Sequence, residues 1–179
     1  PLSNILHNSW INCLLCSTND KLYIGTYDGL GCLDIPTMDF VSTYEINRLL
    51  QGDVIYALYE DLHHSIWVGT SQGLKQLNPQ TQKVREYTIS DGLPSNSISA
   101  IEGDANGNLW ISTNFGISRF NPGTQTFVNF YASDGLQGNE FSKGVSFAST
   151  QGEIIFGSTS GITYFNPGEI TSPNKNPEI

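Results

Sequence analysis

Apolar and polar positions alternate along this chain in short runs, and the runs recur at a fixed interval. Ile55-Tyr-Ala-Leu-Tyr59 and Ile98-Ser-Ala-Ile101 read as apolar alternation rich in β-branched and aromatic residues, which predicts strands. No segment carries sustained helical periodicity. Glu45-Ile-Asn-Arg-Leu-Leu50 has room for one turn of helix, ended by Gly52.

The interval is set by one nine-residue pattern found four times. It reads Leu22-Tyr-Ile-Gly-Thr-Tyr-Asp-Gly-Leu30, Ile66-Trp-Val-Gly-Thr-Ser-Gln-Gly-Leu74, Leu109-Trp-Ile-Ser-Thr-Asn-Phe-Gly-Ile117 and Ile154-Ile-Phe-Gly-Ser-Thr-Ser-Gly-Ile162. Its turn glycines, Gly29, Gly73, Gly116 and Gly161, are spaced by 44, 43 and 45 residues. A period of that length is what one four-stranded propeller blade consumes. Each period predicts a first apolar strand, a polar turn, a second strand carrying the aromatic residue, and a third strand after the glycine. Asn78-Pro79, Asn121-Pro122 and Asn166-Pro167 stop the third strand. The first repeat departs, with Asp34-Ile35 there and Pro36 one residue later. Fourth strands follow at Val84–Thr88 and Phe127–Tyr131, and connectors at Asp91-Gly-Leu93 and Asp134-Gly-Leu136. Asn106-Gly107 predicts a two-residue hairpin turn with positive φ at both positions.

The predicted fold is all-β: a β-propeller of about four blades of four antiparallel strands, the last blade incomplete. Residues 1–10 form an N-terminal segment, residues 11–167 hold the blades (11–45, 54–88, 97–131 and 144–167), and residues 168–179 read as a Pro-containing linker or tail.

Composition supports sheet and excludes several partners. Charged residues are 14% of the 179, with 18 Gly and 11% aromatics. The net charge of −9, with no Lys/Arg cluster, argues against nucleic acid and anionic membranes. No apolar run approaches the ~20 residues of a membrane helix. Residues 1–10 lack a basic region followed by an apolar stretch, so no signal peptide is read. A start at Pro1 is what a piece of a longer chain would show. Cys13, Cys16 and Cys32 are too few for a disulfide framework, and the expectation for the Cys13/Cys16 pair is buried structural thiols with no redox or metal role.

Most repeat residues read as scaffold. Trp67 and Trp110, with Tyr23 and Ile155 as counterparts, are placed to fill the wedge between blades. Gly25, Gly69, Ser112 and Gly157 let blades approach closely. Asp104-Ala-Asn-Gly-Asn108 begins like a calcium loop but has Leu109 where the loop needs Gly, and Phe115 where it needs Glu. His63 and His64 read as a solvated turn, with His7 remote. No nucleophile, zinc-protease or phosphate-loop motif occurs, so neither a catalytic residue nor a cofactor is assigned.

Strand parity places the second-to-third-strand turns and the blade connectors on one face. That face varies most between repeats, so the candidate ligand residues are Tyr27, Asp28, Gln72, Asn96, Asn114, Phe115, Asn139 and Glu140. The opposite face, with its recurring Asn-Pro and Asn-Gly turns, reads as geometry.

The motifs Ile66-Trp-Val-Gly-Thr70 and Asp91-Gly-Leu-Pro-Ser-Asn96, with Asn-Pro and an aromatic strand between, resemble the two-component regulator propeller repeat. The resemblance runs from about Ile11 to Pro167 and is weakest in the first repeat. It implies a C-terminal fragment of the periplasmic sensor of a hybrid two-component system of the Bacteroides type. Such propellers have about seven blades. An immunoglobulin-like domain, a membrane helix and a histidine kinase follow in the parent. The implied partner is an oligosaccharide, beside neighbouring blades and the immunoglobulin-like domain. The implied role is non-catalytic. A homo-oligomer through exposed blade edges is expected of a four-blade arc. The alternatives are a protein-interaction scaffold and, further off, a propeller-fold lyase or hydrolase.

Overall fold

The computed structural model of the chain describes residues 10–41 and 52–170. The one-turn helix read at Glu45–Leu50, and His7, lie outside the described residues.

Fifteen strands in four antiparallel sheets follow one another among the described residues. The first blade is β1 (Ile11–Cys16), β2 (Lys21–Thr26), β3 (Gly29–Asp34) and β4 (Asp39–Phe40). The second is β5 (Ile55–Glu60), β6 (Ile66–Thr70), β7 (Leu74–Leu77) and β8 (Val84–Tyr87). The third is β9 (Ile98–Gly103), β10 (Leu109–Thr113), β11 (Gly116–Asn121) and β12 (Thr126–Phe130). The fourth has β13 (Phe141–Ala148), β14 (Ile154–Ser158) and β15 (Gly161–Phe165), three strands among the described residues. The first strands β1, β5, β9 and β13 lie innermost and contact one another in turn. The last blade starts earlier than residue 144. Phe141, read as connector, opens β13 and is buried in the seam cluster that holds Trp110, its ring edge-on to Phe156 at 6.2 Å.

Each seam between blades is an apolar cluster. Tyr23 and Cys32 of blade one meet Ile55, Ile66 and Val68 of blade two. Trp67 and Leu74 of blade two meet Ile98, Leu109 and Phe120 of blade three. Trp110 and Phe130 of blade three meet Phe141, Ile154 and Phe156 of blade four. Close approach requires a small residue beside each ring. A Cβ on Gly69 would stand 2.6 Å from Ile98 Cγ2, and one on Gly25 2.7 Å from Ile55 Cγ2. Blade three has Ser112 instead, fully buried, with its hydroxyl unpartnered among the described residues. A buried unmade hydrogen bond costs about 1–3 kcal/mol. Ser112→Ala is therefore expected to raise the unfolding free energy by about 1 kcal/mol in urea titration.

The turns repeat as closely as the strands. Thr26, Thr70, Thr113 and Ser158 each donate their hydroxyl to the carbonyl of the turn glycine, at 2.9–3.0 Å. Each also accepts from the amide two residues on. This is why Thr or Ser stands at the fifth position of every nine-residue pattern. At the end of the third strand Asn78 and Asn121 accept backbone amides of the following turn. In blade one Asp34 does the same with Thr37, so the departure in sequence is not one in structure. The Lys21 ammonium, then the Thr37 donors, hold the Asp34 carboxyl down at about 2.

Asn106-Gly107 is not a two-residue turn. Gly107 alone has positive φ, +77°, and its amide donates to the Asp104 carbonyl. Asp20, His64 and Gly152 hold the same left-handed position in the other blades, so the loop is longer by design of the repeat. The tail reading also shifts. Asn166 caps a short 3₁₀ turn at Pro167–Glu169, and Ile170 packs against the third seam. Packing thus continues past residue 168.

The cysteines divide three ways. Cys13 faces the first seam, Cys32 is buried, and Cys16 is exposed, contrary to the expectation that both members of the Cys13/Cys16 pair are buried. The cause is strand parity, which turns Cys16 away from the face Cys13 occupies. Burial pushes the Cys13 thiol up to about 12 and raises that of Cys32. Iodoacetamide at neutral pH is expected to modify Cys16 alone in the native protein, and all three thiols in denaturant, read by intact mass.

Candidate functional site

The upper face is built as strand parity requires. The amide of Tyr27 donates to Trp10, that of Ser71 to Val54, and that of Asn114 to Ser97, so each second-to-third-strand turn is tied to the segment entering its own blade. The Gly116 amide reaches the Asn139 carbonyl at 2.6 Å, tying the blade-three turn to the next connector. Tyr27, Asp28, Gln72, Asn114, Phe115 and Glu140 are exposed on this face. Tyr27 stands edge-on to Trp10 at 6.0 Å, and Phe115 lies 5.7 Å from Tyr131.

Asn96 and Asn139 do something more specific. The Asn96 side-chain oxygen accepts from Ile89 at 2.8 Å, and that of Asn139 from Ala132 at 2.7 Å. Asp91 and Asp134 accept the amides of Thr88 and Tyr131 in the same connectors. The Asp-Gly-Leu-x-x-Asn motif is therefore the wiring of a short 3₁₀ connector, with Gly92 and Gly135 in the left-handed region at its end.

At the axis, the innermost strands bulge. Asn12 donates to the Ile55 carbonyl at 2.9 Å, and Ser99 to the Phe141 carbonyl at 2.9 Å. Each closes the gap to the first residue of the next blade. Tyr56 holds the corresponding bulge in blade two. Its ring instead carries the Lys143 ammonium 3.6 Å from its centroid, linking β5 to β13 across the axis. These four residues were not singled out in sequence; their signal is the extra length of each first strand over its partner, one residue in blades one to three and three in blade four.

The lower face carries the polar turns. Asp61 accepts from the His63 and Ser65 amides and, at 2.7 Å, from the Trp67 indole. Asp104 accepts from Asn106, Asn108 and, at 2.9 Å, the Trp110 indole. Across the first seam, Glu60 accepts from the Thr18 amide and hydroxyl, and lies 3.0 Å from His64 Nδ1. Burial draws the Glu60 carboxyl upward, but these hydrogen bonds outweigh it and hold it below the usual carboxylate range. Thr18 Oγ1 also lies 2.9 Å from His64 Nδ1. Hydroxyl and carboxylate thus share one imidazole nitrogen, so the trio cannot relay a proton as a nucleophile–base–acid chain does. Among the described residues no cluster of three His, Cys, Asp or Glu is placed to hold a metal. Nor is any helix long and apolar enough to cross a membrane.

Two clefts open between blades on this lower face, and a third of about 180 Å³ adjoins the larger at Asn108 and Asn121, beside Arg119. The larger, about 350 Å³, lies between blades two and three, and the smaller, about 240 Å³, between blades one and two.

Antiparallel blades set around an axis, with seams of aromatic residues and glycines, make the chain a β-propeller. The family model described as two component regulator propeller matches residues 92–115, which span the connector and the first and second strands of blade three. The extracellular domain of the hybrid two component system BT3049 of B. thetaiotaomicron superposes with a TM-score of 0.82 at 28% identity, over 92% of this chain and 22% of that one. The corresponding domain of BT4673 from the same organism gives 0.70 at 24% identity, over 90% of this chain and 22% of that one. Virginiamycin B lyase of Staphylococcus aureus gives 0.62 at 18% identity, over 92% of this chain and 57% of that one. At these identities the likeness to the last two is one of fold. This chain spans about a fifth of the length of the two B. thetaiotaomicron domains. No curated protein matches it.

Proposed function

We propose that the chain is part of the extracytoplasmic, periplasmic ligand-recognition module of a two-component signalling protein, that it is non-catalytic, and that it responds to an oligosaccharide. The observation that carries this is the 28% identity over 92% of the chain to the extracellular domain of a hybrid two component system, joined to the family repeat at residues 92–115. The exposed Asn106 and Leu62 side chains on the lower-face turns suit a hydroxyl-rich ligand. The lyase shares the fold at low identity, and the shared His64 nitrogen offers no proton relay. A glycan array of neutral and acidic oligosaccharides, followed by calorimetry, tests the reading. Saturable binding of one glycan class is expected, without turnover of the sugar. Absence of binding across the array, or release of products, overturns it.

A second reading, a docking scaffold, is favoured by the outer face of blade four. Val145, Phe147, Ile162 and Tyr164 are 48–68% exposed there. They flank Ile155 and Gly157, whose counterparts Trp67 and Gly69 are buried against the next blade. At the other end, Ile11 and Leu14 are 54% and 60% exposed, where their counterparts Ile55 and Leu58 pack into the first seam. The two ends complement each other as the two sides of a seam do. A second copy joined end to end is the expected occupant. Light scattering is expected to give a mass above the monomer, lowered by Phe147→Asp with Tyr164→Asp; a wild-type monomer at high concentration counts against it.

A further inference from the structure

The two lower-face clefts are the same site repeated. The larger is walled by the blade-two turn (Leu62, His63), the blade-three turn (Asn106, Gly107) and the end of the blade-three third strand (Asn121, Pro122). The smaller is walled by the blade-one turn (Thr18, Asn19), the blade-two turn (His63, His64) and the end of the blade-two third strand (Asn78, Pro79). The walls correspond element for element, one blade apart. His63 belongs to both and forms the partition between them.

The chemistry of the lining narrows the ligand. Neither cleft is lined by Lys or Arg, and the larger includes the Asp61 and Asp104 carboxylates, so an anion is disfavoured. Those carboxylates are already committed to the turn amides and the indoles. Tyr59, Gln76, His63 and Asn106 line the larger cleft, and the Tyr59 hydroxyl, the Gln76 side-chain oxygen, the His63 ring and the Asn106 side-chain carboxamide are not engaged by a hydrogen bond among the described residues. They offer both donors and acceptors, which is what hydroxyl groups require. Leu62, 74% exposed, and Pro122 give an apolar surface beside them. The combined volume lies within the range of small-ligand sites.

From this we infer that the lower face is a two-subsite track for a linear, uncharged, hydroxyl-rich chain, one segment in each cleft, passing over His63. The inference rests on the oligosaccharide reading above and deepens it by giving the site, the charge and the linearity of the ligand. It places the site opposite the upper-face residues favoured by sequence variation. Its physical consequence is length dependence, because a ligand long enough to fill both clefts gains the second at high effective concentration.

The test uses the whole chain and linear xylo-, cello- and malto-oligosaccharides of roughly two to six units. Binding is followed by calorimetry and by the His63 ring proton in NMR. One series is expected to bind, its affinity rising about tenfold or more once both clefts are spanned, and to shift the His63 resonance. His63→Ala and Gln76→Ala are expected to remove that gain, while Gln72→Ala and Phe115→Ala on the upper face leave it intact. Circular dichroism checks that all four variants fold. Loss of binding in the upper-face variants alone overturns the track and leaves the sensor reading standing. So does an array that yields only acidic glycans. Failure of all three series to bind, or binding of a proline-rich peptide at His63 in their place, overturns the track outright.

Discussion

Trp110→Ala is expected to lower the unfolding free energy by about 3–5 kcal/mol, the range for truncating a fully buried large aromatic residue. The indole is 1% exposed. It stacks on Phe130 at 5.6 Å and meets Phe165 at 4.6 Å, with the Arg119 guanidinium 5.7 Å from its centroid. No neighbour can collapse into the space, because the two rings against it are fixed on different strands, Phe130 on β12 and Phe165 on β15. For a domain with 5–15 kcal/mol in total, such a loss removes a large share of stability. The loss is also local. Blades contact their neighbours through separate seams, and repeat arrays open seam by seam. Hydrogen exchange on the variant should therefore show β13–β15 losing protection first, while the seam between blades one and two, held by Tyr23 and Ile66, keeps its own. Uniform loss of protection across all four blades would mean that the sheets act as one cooperative unit. Trp67→Ala at the middle seam is the companion case. That ring is fully buried against Tyr87 and Phe120, so its removal is expected to uncouple the two halves.

What the sequence shows of this fold follows from what repeats. The glycine spacing counts the blades, because a left-handed turn residue recurs wherever the second strand folds back. The paired tryptophans mark the seams, because only a large flat side chain fills the wedge. The features that escape are those where different residues serve one geometry. Asp34 replaces Asn at a turn, and Asp20 and His64 stand where Gly107 and Gly152 do. Phe141 was hidden because the bulge in β13 displaces it from the register of the later residues. The candidate site is legible only in part. Parity puts eight residues on one face, but Asn96 and Asn139 turn their side-chain oxygens inward to the connector. The clefts of the opposite face arise between blades, from turns about one period apart in sequence, and no local pattern reports them.

The buried indoles also carry a requirement that separates acceptor from charge. Asp stands six residues before Trp in blades two and three, whereas blades one and four pair Ser17 with Tyr23 and Ser149 with Ile155. Ser149 accepts from the Gln151 and Glu153 amides, so a hydroxyl is enough for the turn. The carboxylate is present where an indole N–H must also be satisfied. In blade three one Asp104 oxygen takes the turn amides of Asn106 and Asn108, and the other takes Trp110 Nε1 and the Asn108 amide group. Asp104→Ala is expected to cost about 2–4 kcal/mol, since it strands the indole and loosens the turn together. Asp104→Asn is expected to cost nearly as much, because it aims an N–H₂ donor at one of those two sets of donors. Asp104→Ser keeps a turn acceptor, as in blade four, and leaves only the indole unmet. Trp110→Phe removes the stranded donor while keeping most of the ring. In that background the penalty of Asp104→Ala should shrink by about 1–2 kcal/mol in a double-mutant cycle. If it is unchanged, the carboxylate acts on the turn alone and the indole bond contributes nothing measurable. The same cycle on Asp61 and Trp67 gives an independent reading within one molecule, at a seam whose geometry is nearly the same.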